Sequence, residues 1–160
     1  HVGADFAYLF LGEGLGCAVV GDGAVRRGRN GLAGEIAHLV TVGPAGEARY
    51  LIEVFGELGL RQQNSSAIDV RRLLAADDAT RAAIGRAVGG VIAAVITLTD
   101  PELVVLGGSW GPALLADIRA AVERMPRRVP VRAAAITTEP ALAGVRREAL
   151  DLLRAKIAGG

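Results

Sequence analysis

Four consecutive apolar residues, Leu103-Val104-Val105-Leu106, stand between Asp100-Pro101-Glu102 and Gly107-Gly108. Proline ends any helix before it, and the glycine pair closes the run on the other side. A strand with no polar alternation is covered on both faces, which is the position of a central strand in a parallel sheet. Such a strand needs crossover helices on either side of it in sequence. The chain supplies them. Asp77 to Leu98 predicts a long helix, capped by Asp77 or Asp78, stopped at Asp100-Pro101 and apolar on nearly all sides after Val88, hence buried. Pro112 to Arg124 predicts a helix, Val129 to Thr137 a strand, and Ala141 to Ile157 a last helix.

The first half is organised differently. Phe6 to Leu11 and Leu15 to Val20 are apolar runs separated by glycines, and Asp22-Gly23 is a tight-turn pair leading into Ala24 to Arg27. These predict a three-strand antiparallel meander. From Arg29 to Ala33 periodicity is lost, and Gly28, Gly31 and Gly34 recur at intervals of three, which marks a loop that bends or approaches something closely. Glu47 to Leu60 reads as helical, with Leu51, Val54, Phe55 and Leu58 at helical spacing. Val70 to Ala76 reads as a short helix capped by Ser66 or Asp69. The whole is expected to be one α/β domain over residues 1–160.

Composition narrows the partners. Hydrophobic residues make up 51% of the 160 and aromatics only 4%, so the core must be aliphatic. Eighteen basic residues against 17 acidic give a net charge of +1 and no large field to attract a phosphate backbone. Arginines cluster at Arg26, Arg27 and Arg29, at Arg71 and Arg72, and at Arg127, Arg128 and Arg132, but without the aromatics that nucleic-acid sites interleave, so these read as solvated faces. The apolar stretch Val88 to Leu98 is broken by Gly89 and Gly90 and falls short of the roughly 20 residues that span a bilayer. With no basic-then-apolar leader, the expected location is the cytoplasm. Cys17 is the only cysteine and can form neither an internal disulfide nor a zinc site by itself. Arginine outnumbers lysine so strongly, Lys156 being the one lysine, that a GC-rich bacterial source is expected.

Three stretches together carry a family resemblance. Leu11-Gly12-Glu13-Gly14-Leu15-Gly16, then Arg27-Gly28-Arg29-Asn30-Gly31-Leu32-Ala33-Gly34-Glu35-Ile36-Ala37-His38, then Asp100-Pro101-Glu102-Leu103-Val104-Val105-Leu106-Gly107-Gly108 occur in the order seen in the ROK family of repressors and sugar kinases. The resemblance implies a ribonuclease-H-like fold of the actin and hexokinase type, here one lobe of two. The chain opens at His1, and Met125 is its only methionine. The expectation is therefore a C-terminal lobe whose N-terminal lobe, with any helix-turn-helix, lies outside this chain.

The resemblance also assigns residues. Glu35 and His38 match the family's Gly-Glu-x-Gly-His sugar ligands, and the chemistry suits them. A carboxylate accepts two hydroxyl hydrogen bonds, while an imidazole can donate one and accept another. Read without the resemblance, Glu35 caps a helix start and His38 is a satisfied polar residue. A further family glutamate best matches Glu53, with Glu57 as the nearer match in spacing; for either, a solvent-facing helix position is an equal reading. The cysteine cluster that binds zinc in the family is missing, since Leu39 to Leu60 holds no cysteine. No metal and no other cofactor is expected, and His38 should depend on another side chain for its orientation.

In the family's kinases the first glycine loop reads Gly-Thr-Gly and holds nucleotide phosphate. Here Gly12-Glu13-Gly14 puts a carboxylate in place of the hydroxyl. Like charges about 4 Å apart repel by about 4 kcal/mol at an effective dielectric near 20. Gly12, Glu13, Gly14, Gly107 and Gly108 are thus expected to form a degenerate nucleotide loop. The family's catalytic aspartate has no counterpart among these residues, so no catalytic base is assigned. The expected function is the sugar-responsive part of an ROK transcriptional regulator that meets DNA only through an absent domain and forms a homo-oligomer. The alternative is the C-terminal lobe of an ATP-dependent ROK sugar kinase.

Overall fold

The computed structural model describes residues 5–135. It has α/β architecture built on a mixed five-stranded sheet. Strands β1 (Phe6–Leu11), β2 (Leu15–Gly21) and β3 (Ala24–Val25) form the predicted antiparallel meander, with Phe6 opposite Val20 and Leu11 opposite Leu15. Asp22, at φ 53°, and Gly23, at φ 75°, make the turn between β2 and β3. Strand β6 (Leu103–Gly107) lies parallel to β1 with Phe6 beside Leu103. Strand β7 (Val131–Ala133) lies parallel to β6, so the strand order is β3-β2-β1-β6-β7.

Three helices precede β6: α1 (Leu51–Glu57), α2 (Val70–Leu74) and α3 (Asp78–Thr99). Helix α4 (Leu115–Val122) carries the crossover from β6 to β7. Alternation decides the packing. Ala7, Leu9 and Leu11 of β1 and Val104 and Leu106 of β6 point to one face, where they join Ile84, Val88, Val91 and Ile92 of α3 and Ile118 of α4 in a single core. That core is aliphatic, as composition requires, around Phe55 and Trp110, both fully buried with ring centroids 5.6 Å apart.

Several expectations change in detail. Glu47–Leu60 is not one helix. Its first residues belong to a hairpin of β4 (Val40–Val42) and β5 (Ala48–Tyr50), and α1 begins only at Leu51. Helical spacing in Leu51 to Leu58 was real, but Gly43 to Gly46 closes a turn that sequence periodicity overlooks: the Gly43 N–H donates to the Glu47 carbonyl at 2.7 Å. Helix α4 starts at Leu115 because Pro112 to Leu114 form a turn. Strand β6 buries Val104 and Leu106 completely, while Leu103 and Val105 on its other face are half-buried rather than fully covered. Helix α3 is buried as far as Ile96, but Leu98 in its last turn is 80% exposed. Of the strand expected at Val129 to Thr137, only β7 forms within the described residues, and the helix expected at Ala141 to Ile157 lies outside them.

Candidate functional site

Ligands in open α/β sheets sit beyond the carboxyl ends of the parallel strands. In this chain the ends of β1 and β6 carry the two glycine loops. Gly12 to Gly14 turns β1 into β2, and Gly107-Gly108 ends β6. The two are brought into contact. Gly108 adopts φ +84°, and a Cβ there would sit 2.3 Å from the Leu11 carbonyl oxygen, so only glycine fits. Next to it, the Trp110 backbone N–H donates to Leu11 O at 3.1 Å and its indole N–H donates to Gly12 O at 2.8 Å. The buried tryptophan thereby holds the first loop from below.

That loop is also closed on itself. The Gly12 N–H donates to Gly14 O at 3.1 Å, and the Glu13 carbonyl accepts from the Ile68 N–H at 2.9 Å. Of its backbone amides, the one on Gly12 is therefore already in use. The Glu13 side chain is exposed and faces a cleft of about 650 Å³. The same cleft is lined by Glu35 and His38. Four of the sequence-derived site residues, Glu13, Gly14, Glu35 and His38, thus meet in one place, whereas Gly12, Gly107 and Gly108 do not line the cleft.

The glycine-rich approach explains how Glu35 and His38 get there. Gly34, at φ +97°, has its α-carbon so close to the β2 backbone that a Cβ would meet the Cys17 carbonyl oxygen, and the Cys17 N–H donates to Gly34 O at 2.8 Å. The bond ties the loop to β2 and starts a short 3-10 turn, Ile36–His38. Glu35 occupies the cap position of that turn, yet its side chain makes no capping hydrogen bond. Both Glu35 and His38 are exposed. The His38 ring lies edge-on to that of Tyr50 at a centroid distance of 6.4 Å.

Glu53 and Glu57 are placed differently. Glu53 points its carboxylate at the Tyr50 N–H, 3.2 Å away, and so caps α1; Glu57 pairs with Arg49 at 2.5 Å. Neither lines the cleft, although Ile52 between the hairpin and Glu53 does. The opposite wall was not anticipated from sequence: it is Arg61, Ser65 and Ser66, in a tight loop between α1 and α2. Their one sequence signal is Ser66 as one of two cap candidates for α2; the other, Asp69, fills that role by accepting from the Arg72 N–H at 3.0 Å. Cys17 behind the loop is half-buried, and burial pushes its thiol up to about 11, which keeps it protonated and poorly nucleophilic.

No family model matches the chain. The bifunctional enzyme NanE/NanK of Brucella melitensis is 28% identical over 120 residues, covering 69% of this chain and 23% of that protein. Among solved structures, the ROK hexokinase from Thermus thermophilus is 28% identical with a TM-score of 0.56, covering 85% of this chain and 53% of its own. A ROK-family transcriptional regulator homologous to the E. coli MLC protein shares the fold at 21% identity and a TM-score of 0.59, with 86% of this chain and 43% of its own covered. The chain spans about a quarter of the length of the curated relatives it matches and about half that of the solved ones. In sequence order, sheet topology and likeness to these proteins, the chain resembles proteins of the ROK family and shares their actin- and hexokinase-like fold.

Proposed function

We propose that the chain is the C-terminal, sugar-reading lobe of an ROK transcriptional regulator, in which Glu35 and His38 read ligand hydroxyls and Glu13 disables the phosphate loop. One observation carries this: Glu13 lines the cleft that holds Glu35 and His38, in a loop whose Gly12 amide is already hydrogen-bonded to Gly14 O. A phosphate cradle needs free amides and no neighbouring carboxylate. The missing lobe would close over the sugar from the other side and carry the link to DNA. A cytoplasmic location and a homo-oligomeric state belong to the same reading.

The second reading is a sugar kinase. It is supported by the two 28% relatives, whose names are those of a NanE/NanK enzyme and a hexokinase, and by the contact between Gly108 and the Leu11-Gly12 backbone, which keeps both glycine loops at the strand ends. Titrating the intact protein with a panel of sugars by calorimetry, then assaying the same sugars with ATP, separates the two. Sugar binding without phosphoryl transfer is the expected result, and transfer of phosphate to any sugar sinks the regulator.

A further inference from the structure

The loop opposite Glu35 and His38 is built rather than loose. Arg61 bridges Ile68, Gln62 N–H donates to Ala67 O at 2.9 Å, and Ala67 N–H donates to the Ser65 hydroxyl oxygen at 3.0 Å. Its far end is fastened to the first glycine loop through Ile68 and Glu13. Within it, the Arg61 Nε donates to the Ser65 carbonyl at 3.2 Å, which fixes the guanidinium by its stem side. The outer nitrogens make no hydrogen bond to a described residue. Arg61 forms no ion pair with Glu13 or Glu35, which line the same cleft, or with any other described carboxylate. The Ser66 hydroxyl likewise has no partner among the described residues.

Arg61, Ser65 and Ser66 also line a second hollow of about 480 Å³, whose remaining walls are Gln62 and Asn64. This hollow shares a wall with the main cleft and contains no acid. Its only charge is the guanidinium, and every lining side chain can donate a hydrogen bond. A planar fork flanked by hydroxyls matches the geometry of an oxyanion, and such charge-assisted bonds are the strong ones. Glu13 and Glu35 line the main cleft but not this hollow, and their carboxylates suit neutral hydroxyls.

We propose that the cleft takes a sugar bearing an oxyanionic substituent, a phosphate ester or a carboxylate, with the ring read by Glu35 and His38 and the substituent held by Arg61, Ser65 and Ser66. This rests on the reading of Glu35 and His38 as hydroxyl ligands. Calorimetric titration of the intact protein with hexoses and N-acetylhexosamines, their 6-phosphates, the matching hexuronates and inorganic phosphate tests it. At least one anionic sugar should bind about tenfold or more tightly than its neutral parent, with the gap narrowing as salt rises. Whether the ester or the uronate gains more identifies the oxyanion.

Arg61→Gln should close the gap by weakening the anionic sugar far more than its neutral parent. Ser66→Ala, which removes no hydrogen bond among the described residues, should narrow it with no change in melting temperature. A neutral parent that binds as tightly as its anionic derivatives, or a gap that survives Arg61→Gln, overturns the proposal and leaves the sugar reading standing. Inorganic phosphate binding as tightly as the esters overturns it too. Silence toward every sugar overturns the sugar reading itself.

Discussion

Glu35 is a carboxylate at a helix cap that does not cap. Removing its charge therefore costs the fold little, and its effect should appear in binding. Glu35→Gln and His38→Ala are each expected to weaken sugar binding about tenfold or more, as loss of a charge-assisted or paired hydrogen bond does, with melting temperature nearly unchanged. Calorimetry and a thermal scan on the same samples check both halves. Cys17 gives a second expectation at this scale. Burial raises its thiol to about 11, so at neutral pH the thiolate fraction is roughly a few hundredfold below that of a free cysteine. Alkylation by iodoacetamide should be slower by a similar factor in the folded protein and normal in denaturant.

Helix α3 is the element on which the others are assembled. By length and composition it could cross a bilayer, but 56% of its most apolar window is buried inside this fold, where it packs against α1, β4 and α4. Its glycines are contact points. A Cβ at Gly85 would stand 2.7 Å from the Asp117 carbonyl oxygen of α4, beside the Arg81–Asp117 ion pair at 2.9 Å. In an open helix, Gly→Ala stabilises by roughly 0.5–1 kcal/mol. Here the sign should reverse: Gly85→Ala is expected to cost about 1–3 kcal/mol in chemical denaturation, because α4 must move away.

The start of α3 titrates. Hydrogen bonds from the Thr80 side chain and from its N–H, at 2.8 Å, hold the Asp77 carboxyl below the usual aspartate range. A depressed folded value means the cap stabilises above the ordinary aspartate pKa and is lost as pH falls through the lowered one. The melting-temperature difference between the native chain and Asp77→Ala should be full at neutral pH and shrink as pH falls below the ordinary aspartate range.

At the scale of the molecule, Trp110 joins the two halves of the site. Its indole N–H reaches 98 positions back in sequence to the Gly12 carbonyl, and its ring packs on Phe55. Trp110→Phe keeps most of the ring contact but leaves a buried carbonyl unpaired, at a cost of about 2–4 kcal/mol by denaturation. Because Gly12 precedes Glu13 at the cleft edge, sugar affinity should fall as well, which titration of the variant reads directly.

The amino-acid sequence by itself determined the elements whose physics is local. The unalternated run Leu103–Leu106, the Asp22-Gly23 turn, the Asp77 cap and the Asp100-Pro101 stop each act through neighbours along the chain, and each stands where it was expected. Glu35 and His38 were legible because a glycine-spaced loop precedes them in a recognisable order. What only the folded structure decided includes local groups with competing partners as well as residues far apart in sequence. The Gly43–Gly46 turn made a hairpin of an apparent helix, and Glu53 was drawn into capping α1. Arg61, Ser65 and Ser66 carry no motif and enter the cleft only because Ile68 hydrogen-bonds to Glu13 across the chain. Contacts of that kind depend on which backbone groups are left unpaired after the sheet has formed, and no local pattern records them.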